Sequence, residues 1–284
     1  GARLVGLAAH PAQGPADMRE RPVRSLFTVV PLLAGAVLVF FFIVPLIAVF
    51  ARITPGEIVA QLASEPVRLA LDITLRTTFV ATLATVLVGT PAAYALARYD
   101  VPGRQLVDVL INLPMVLPPS VAGVALLMAF GREGLIGSSL ARIGVTIPFT
   151  LTAVVLAQAF VAAPFYVRSA RAGFEAVSPT LEQVSLTLGR GPWQTFRRIT
   201  LPLARRSIFA ATVLAFARSL GDFGATLMLA GNIPGKTQTA AVAIYDAVES
   251  GNTILAQILV LIISALGIGI AWFANRLERR EARA

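Results

Sequence analysis

Long stretches without a charged residue dominate this 284-residue sequence. Five of them lie between Arg24 and Arg52, Arg76 and Arg98, Asp108 and Arg132, Arg142 and Arg168, and Glu249 and Arg276. Each is long enough for a membrane-spanning helix, which needs about 20 predominantly apolar residues. A sixth stretch, about residues 204–230, starts beside Arg205 and Arg206 and is interrupted by Arg218 and Asp222. The pattern therefore predicts an all-α integral membrane protein with six transmembrane helices.

The overall composition agrees with a membrane protein. Hydrophobic residues make up 56% and charged residues 14% of the chain, and the mean hydropathy is +0.77. Soluble domains carry about a quarter charged residues. The net charge of +9 comes from Arg residues that flank the apolar stretches, with Lys236 the single lysine. This spread lacks the basic and aromatic cluster of a nucleic-acid-binding face, so that class is excluded.

The distribution of basic residues predicts the orientation in the membrane. With the N-terminus inside, seventeen Lys and Arg residues fall in inner segments and six in outer ones. Cytoplasmic loops are enriched in these residues, so both termini are expected in the cytoplasm of a multi-pass cell-membrane protein.

Four regions follow from this arrangement. Residues 1–24 lack hydrophobic periodicity and are expected to form a disordered cytoplasmic tail. Residues 25–67 hold the first transmembrane helix and, from Thr54 to Arg68, a short amphipathic helix on the outer membrane surface. Residues 68–275 form the main transmembrane domain, and residues 276–284 a cytoplasmic C-terminal tail.

Candidate catalytic and cofactor chemistry is sparse. The chain has no Cys, its one His is His10 in the N-terminal tail, and no carboxylates cluster at metal-ligand spacing. The segment from Ala230 to Thr237 approaches a phosphate-binding loop, with Ala in place of the first Gly. That motif requires a preceding strand, whereas here a membrane helix precedes it on the outer side. We therefore predict that this chain is not an enzyme and holds no metal or cofactor.

The longest inner connection, from about Gly173 to Leu203, predicts two short helices. Ser178 followed by Pro179 is typical of a helix start. Leu181, Val184 and Leu188 then recur at helical spacing. Gly189 ends this helix, and Gly191–Pro192 starts another. An apolar stripe with a basic rim suits docking into a groove on a cytoplasmic partner, although an ordinary loop helix packed on the chain's own surface would show the same spacing.

This connection resembles the cytoplasmic signature of binding-protein-dependent ABC permeases. That signature reads Glu-Ala-Ala, three residues, Gly, nine residues, Ile, one residue and Leu-Pro. Gly189, Ile199, Leu201 and Pro202 match it, whereas Gln183-Val184-Ser185 departs from the triplet and Glu182 stands one residue earlier. The resemblance implies a type I importer fold in which this loop docks on the ATPase. The residues that it assigns to coupling are Glu182, Gln183, Val184, Leu188, Gly189, Ile199, Leu201 and Pro202.

Two membrane-embedded segments carry polar or helix-breaking residues. Arg218 and Asp222 would share a helix face, either along a translocation pathway or as a buried pair that fixes the bundle. The segment Leu117–Gly123 contains Pro118 and Pro119, which suit either a wet pathway or a simple kink. The family resemblance favours a pore-lining segment here.

The segment Phe216–Thr226 resembles the fifth span of molybdate permeases, which usually have Glu at the position of Asp222. Ile233–Thr239 and Ala243–Ala247 resemble the outer loop of the same subfamily. The resemblance implies a homodimer with two cytoplasmic ATPase subunits that bind ATP and Mg²⁺, and an outer substrate-binding protein. The expected pathway residues are Pro118, Pro119, Ser120, Gly123, Arg218, Asp222, Gly224 and Thr226.

Two alternatives stay open at this point. Sulfate, thiosulfate or tungstate permeases share the architecture, although sulfate permeases usually have Tyr-Gly-Ser where this chain has Phe223-Gly224-Ala225. A secondary transporter or channel would need no ATPase, but would show internal repeats or charges in several spans.

Overall fold

The computed structural model describes residues 23–51 and 54–281. Regular secondary structure in these ranges is entirely helical, which confirms the predicted all-α class. Thirteen α-helices are distinguished among the described residues. They are α1 Val23–Phe50, α2 Pro55–Leu62, α3 Glu65–Arg98, α4 Arg104–Val116, α5 Pro119–Phe130, α6 Gly137–Arg142, α7 Leu151–Glu175, α8 Pro179–Thr187, α9 Pro192–Thr195, α10 Leu201–Leu220, α11 Gly224–Ala230, α12 Ala240–Glu249 and α13 Thr253–Glu281.

Five stretches of the described chain are long and apolar enough to cross a membrane. They are Thr28–Ala48, Glu65–Arg98, Leu151–Glu175, Pro192–Leu220 and Thr253–Ala274. A sixth crossing is possible if α4 and α5, which meet at a bend of 118°, form one broken span. The predicted count of six therefore includes a span that is not a continuous helix.

The bend between α4 and α5 has a local cause in the sequence. Leu117 and Pro118 both have extended backbone angles. Proline disfavours helical angles in the residue before it and cannot donate a helix hydrogen bond, so the Pro118-Pro119 pair ends α4 and starts α5 with Pro119. The bend at Pro118–Pro119 is thus a complete change of helix direction, larger than a simple kink.

The described residues divide into two compact units, of which the first holds α1 and the second holds α2 to α13. Most of the predicted N-terminal tail lies outside the described residues. The predicted short helix after Thr54 is present as α2. A capping box starts it, since the Glu57 carboxylate accepts hydrogen bonds from the Thr54 amide and hydroxyl, both at 2.8 Å. These bonds lower the pKa of Glu57.

Within the second unit, α3, α7 and α10 form the central bundle. Contacts of Gly89 with Tyr166 and of Arg98 with Phe174 show that α3 and α7 are parallel. The contact of Gly173 with Ser207 near the inner end, and the apolar cluster of Val161 with Ala225 farther out, show that α10–α11 runs antiparallel to α7. Another apolar cluster joins α3, α12 and α13.

The second loop helix differs from its predicted form. α9 does not stop within the loop, but continues through a π-helical segment, Phe196–Thr200, into α10. The Leu201 amide donates to the Phe196 carbonyl, and Pro202 next to it has no amide hydrogen to donate. Because Pro202 cannot donate a helix hydrogen bond, the chain at this point shifts from α-helical to wider π-helical turns. The same transmembrane helix therefore extends into the cytoplasmic loop.

The predicted span of about 204–230 is interrupted toward its C-terminal end. α10 stops at Leu220, and α11 starts at Gly224. The interruption separates Arg218 from Asp222, so these residues do not share one continuous helix. At the C-terminus, α13 extends to Glu281, and the described part of the predicted tail is helical.

Candidate functional site

Glu182 anchors helix α8 to the bundle of α3, α7 and α10. Its carboxylate accepts hydrogen bonds from Arg98 Nε at 3.1 and 2.9 Å and from the Thr200 hydroxyl at 2.7 Å. The Arg98 guanidinium also donates to the Phe174 and Val177 carbonyls at 2.8 and 2.9 Å. The side chains of Glu182 and Arg98 are only 13% and 11% exposed. One ion pair thus connects α3, the end of α7, α8 and the π-helical segment.

A hydroxyl pair and an aromatic cluster hold the same loop. Buried Ser185 on α8 is hydrogen-bonded to Thr195 on α9 at 2.9 Å. The ring of Phe196 lies 4.8 Å from that of Tyr94 on α3, and Tyr94 lies 5.5 Å from Phe174 on α7. These contacts fix the loop to the bundle on one side.

A neighbouring face of α8 carries an exposed apolar stripe. Leu181, Val184 and Leu188 are 48%, 51% and 75% exposed, and Gln183, on a different face of the helix, is also exposed. The chain itself therefore does not cover the predicted docking face. Gly189 ends the helix with a φ of +81°, in the left-handed region that favours glycine. α8 is therefore held against the bundle through Glu182 and Ser185, while its apolar stripe stays largely exposed.

The remaining residues assigned to coupling occupy the π segment and the start of α10. Ile199 and Leu201 are half-buried, and Pro202 is exposed. They shape the connection between the loop and the transmembrane helix.

The predicted pathway residues other than Arg218 lie where α5 packs on α11 or directly before α11. A Cβ atom placed on Gly224 would lie 2.9 Å from the Ser120 amide nitrogen and 3.0 Å from Pro119 Cβ. One on Gly123 would lie 2.8 Å from the Ala225 carbonyl oxygen. These close approaches require glycine at both positions. The break after Pro118 therefore positions the start of α5 against the start of α11.

The polar residues at this contact differ in exposure. Asp222 is 1% exposed, and one of its carboxylate oxygens accepts hydrogen bonds from the Thr226 amide at 3.0 Å and hydroxyl at 2.7 Å. Thr226 is also fully buried. In contrast, Pro118, Pro119 and Ser120 are exposed. Asp222 thus caps α11 from within the protein.

Arg218 takes a different partner from the one that its spacing indicates. Its guanidinium carbon lies 5.9 Å from the centroid of the Phe165 ring. Among the ion pairs of the described residues, none joins Arg218 to Asp222. Arg218 remains partly exposed, so its charge is accessible from outside the bundle.

The outer loop that resembles a phosphate-binding loop has its amides already occupied. The amides of Lys236, Thr237 and Gln238 all donate to the Ile233 carbonyl, at 3.0, 2.9 and 3.1 Å. A phosphate cradle needs such amides free to donate to the anion. The loop therefore has a structural turn in place of a nucleotide site. In the described part of the chain, no group of His, Cys, Asp and Glu residues could hold a metal ion.

Sequence reasoning missed Arg98, Thr200 and Gln158. Arg98 was treated only as an inner flanking charge, although its position at the end of α3 directs it toward the loop that contains Glu182. Gln158 lies in an otherwise apolar stretch, and it is fully buried with both amide atoms unpartnered. A polar residue inside a span is itself a signal that could have identified it.

Comparison with known proteins identifies the family. The family described as "Binding-protein-dependent transport system inner membrane component" matches residues 87–283. The molybdenum transport system permease protein ModB of Escherichia coli (strain K12) is 39% identical over 229 residues, which cover 78% of this chain and all of that protein. A probable sulfate transport system permease protein of Chlorokybus atmophyticus is 35% identical over 241 residues, 82% of this chain and 84% of that one.

Among solved structures, a bacterial ABC transporter involved in the import of the acidic polysaccharide alginate has a similar fold. The TM-score is 0.72 at 18% identity, over 91% of this chain and 97% of that one. The sequence matches extend over most of the chain and include the cytoplasmic loop and the α5–α11 contact. The chain belongs to the family of inner membrane components of binding-protein-dependent transport systems, and is a multi-pass membrane permease.

Proposed function

We propose that this chain is the permease subunit of an ATP-driven importer that carries molybdate into the cell. The observation that carries the proposal is the identity of 39% to a molybdenum transport permease along that protein's whole length. The sulfate permease is less similar, at 35%, and Phe223-Gly224-Ala225 differs from the sulfate pattern. Tungstate has nearly the size and charge of molybdate and is the alternative substrate within this class.

The proposed assembly is a homodimer of this chain with two cytoplasmic ATPase subunits and an outer substrate-binding protein. The exposed stripe of Leu181, Val184 and Leu188 supports docking of the ATPase. Because Glu182 ties α8 rigidly to α3 and α7, a displacement of α8 would be transmitted to the bundle. α9 is continuous with α10, which provides a second connection to the membrane. An ATP-driven permease requires such coupling to its ATPase. A secondary transporter or a channel does not require it.

The proposed pathway passes the start of α5. Pro118, Pro119 and Ser120 are its exposed residues, and Arg218 supplies a positive charge that attracts an oxyanion. Gly123, Gly224, Asp222 and Thr226 position these groups through the α5–α11 contact and the cap of α11. ATP binding would close the ATPase pair and favour one of two bundle arrangements, which gives alternating access.

The docking role is tested with Leu188→Ser, because removing this exposed leucine takes away apolar contact with the ATPase and leaves the core intact. The candidate ATPase should bind the variant at least tenfold more weakly than the wild type in detergent. Leu135→Ser is the matched control, since Leu135 is 89% exposed in the predicted outer loop, and its binding should be unchanged. Equal binding by all three proteins would contradict docking at α8.

The substrate is tested in cells that lack their own molybdate importer. This chain, expressed with its candidate ATPase and binding protein, should restore intracellular molybdenum at low external molybdate. Restoration of sulfate accumulation without molybdenum would reassign the substrate, and would leave the permease role intact.

A further inference from the structure

A group of buried polar atoms without partners lies where α10 ends. Gln158 on α7 is fully buried, and neither its amide nitrogen nor its amide oxygen has a hydrogen-bond partner. The Ser219 hydroxyl and the second carboxylate oxygen of Asp222, Oδ1, are likewise buried and unpartnered. Buried polar groups in native proteins are nearly always satisfied by protein or by ordered water. Three such residues on two neighbouring segments therefore need a common explanation.

The helix register puts these residues at one depth. Gly173 on α7 contacts Ser207 on α10. Gln158 lies fifteen residues from Gly173, farther out along α7. The same number of residues along the antiparallel chain leads to Asp222, with Ser219 one turn before it. The helical rise of about 1.5 Å per residue applies to α7 and to α10 as far as Leu220, so Gln158 lies within about one helical turn of Ser219 in depth, and Asp222 follows directly after the end of α10.

The third helix of the bundle contributes hydroxyls at the same level. α3 is parallel to α7, and Gly89 contacts Tyr166. Seven to eight residues outward from this contact lie Thr82 on α3 and Gln158 on α7. Thr82 is buried and its hydroxyl has no partner. Thr78 and Thr85, one turn to either side, share this property.

These threonines differ from others on the same helix. The hydroxyls of Thr74, Thr77 and Thr90 each donate to the carbonyl four residues earlier, at 2.6, 2.8 and 2.6 Å. Thr82 makes no such bond, although the same carbonyl geometry is available to it. Its hydroxyl is therefore left for a partner outside its own helix.

The donors and acceptors of these buried residues indicate which kind of ligand fits between them. Amide, hydroxyl and carboxylate atoms supply both donors and acceptors, which suits water with its two donors and two acceptors. A carboxylate oxygen would repel an oxyanion. Asp222 is the one carboxylate of the group, and no group of His, Cys, Asp and Glu side chains among the described residues could hold a metal ion.

We propose that Gln158, Ser219, Asp222 and Thr82 hold ordered water molecules between α3, α7 and the α10–α11 break. The water connects the cap of α11 to α7, because the other oxygen of Asp222 binds Thr226. α11 in turn packs on Pro119 and Ser120. Water-mediated bonds can be exchanged at low cost when a helix shifts, so the break acts as a hydrated hinge. The hinge role rests on the proposed transport function, whereas the hydration does not.

Hydration is tested on the assembled transporter by electron cryomicroscopy at a resolution that shows water. Density for water should lie within hydrogen-bond distance of the Gln158 amide and of Asp222 Oδ1. Direct protein–protein hydrogen bonds at both groups, with no water between them, would overturn the proposal.

Isosteric variants give a second test, because the change in melting temperature should have opposite signs for a hydrated site and for a site without water. If water binds, Thr82→Val removes one of its partners and should lower the melting temperature of the purified permease. If the site is dry, the same change removes an unpaired buried hydroxyl and should raise the melting temperature. Thr77→Val is the matched control, since the Thr77 hydroxyl bonds to its own helix.

The hinge role is tested with Gln158→Leu in reconstituted transporter. We expect ATP-dependent uptake to fall severalfold while binding of the ATPase is unchanged. Uptake at the wild-type rate, with the water density lost in the variant, would overturn the hinge. Absence of uptake in the wild type would instead contradict the proposed function, and the water density would still test hydration.

Discussion

Two glycines determine how closely the broken span approaches the fifth span. Gly123 faces Ala225, and Gly224 faces Pro119 and Ser120, in both cases with less than a normal van der Waals distance for an added Cβ. Small residues at helix contacts allow backbones to approach closely in membranes, where packing drives association. The pathway segment is thus positioned by the absence of side chains as well as by polar groups.

Gly123→Ala should therefore disrupt the α5–α11 contact. The new Cβ would lie 2.7 Å from Met228 Cβ and 2.9 Å from Ala225 Cα, and overpacking of this kind costs about 2 kcal/mol. We expect a lower melting temperature and slower uptake. Gly267→Ala on α13, where a Cβ meets nothing within 4 Å, is the control. Equal stability of both variants would mean that this contact is not tightly packed.

Two further glycines differ in backbone strain as well as in steric overlap. Gly231 and Gly251 both have a φ of +74°, but Gly231 also has a ψ of −167°, in a region that is nearly restricted to glycine. A Cβ on Gly231 would also lie 2.9 Å from Phe149 Cδ1, whereas one on Gly251 meets nothing within 4 Å. Gly251→Ala should cost about 1 kcal/mol from strain alone. Thermal unfolding should show a larger loss for Gly231→Ala, and the reverse order would contradict the packing of Phe149 on this loop.

At the scale of elements, α8 is held by an ion pair and presents an unpaired apolar face. The pair is largely buried, so removal of one charge leaves the other without compensation. The isolated chain covers the stripe only in part, since Leu181, Val184 and Leu188 are 48%, 51% and 75% exposed. Substitutions in the ion pair should therefore change mainly the stability of the loop, and substitutions in the stripe should change mainly its binding to a partner.

Glu182→Gln should therefore destabilise the loop. Loss of the carboxylate charge beside Arg98 is expected to cost about 3 kcal/mol, measured as a lower denaturation midpoint of the purified permease. Asp72→Asn removes a comparable pair with Arg76 at 2.7 Å, but those side chains are 46% and 75% exposed. Its cost should stay below about 1 kcal/mol. Similar losses in both variants would indicate that burial does not strengthen the Glu182 pair.

The elements show what the sequence could and could not predict. Hydrophobic runs located the spans because long apolar stretches have few alternatives in a membrane. Ser178–Pro179 and Gly189 located α8 because caps are local chemistry. The 118° bend at Pro118 was expected only as a kink, since its angle depends on how α5 packs against α11. The pairing of Glu182 with Arg98 joins residues far apart in sequence, so no local pattern could reveal it.

For the whole molecule, the distribution of basic residues predicts that α8 lies inside the cell and the α5–α6 connection outside. The chain has no Cys, so single-cysteine variants can report sidedness directly. In cells that express this chain without its ATPase, Leu188→Cys should react with a membrane-impermeant maleimide only after the cells are opened, and Leu135→Cys in intact cells. Both positions are highly exposed, so reactivity depends on sidedness. Labelling in the opposite pattern would invert the proposed orientation.

The most direct test of the account is uptake of radiolabelled molybdate into proteoliposomes that contain this chain, its candidate ATPase and its binding protein. Uptake should require ATP and all three components, and excess tungstate should compete more strongly than sulfate. Molybdate uptake by this chain alone, without ATP or the ATPase, would contradict the proposed importer.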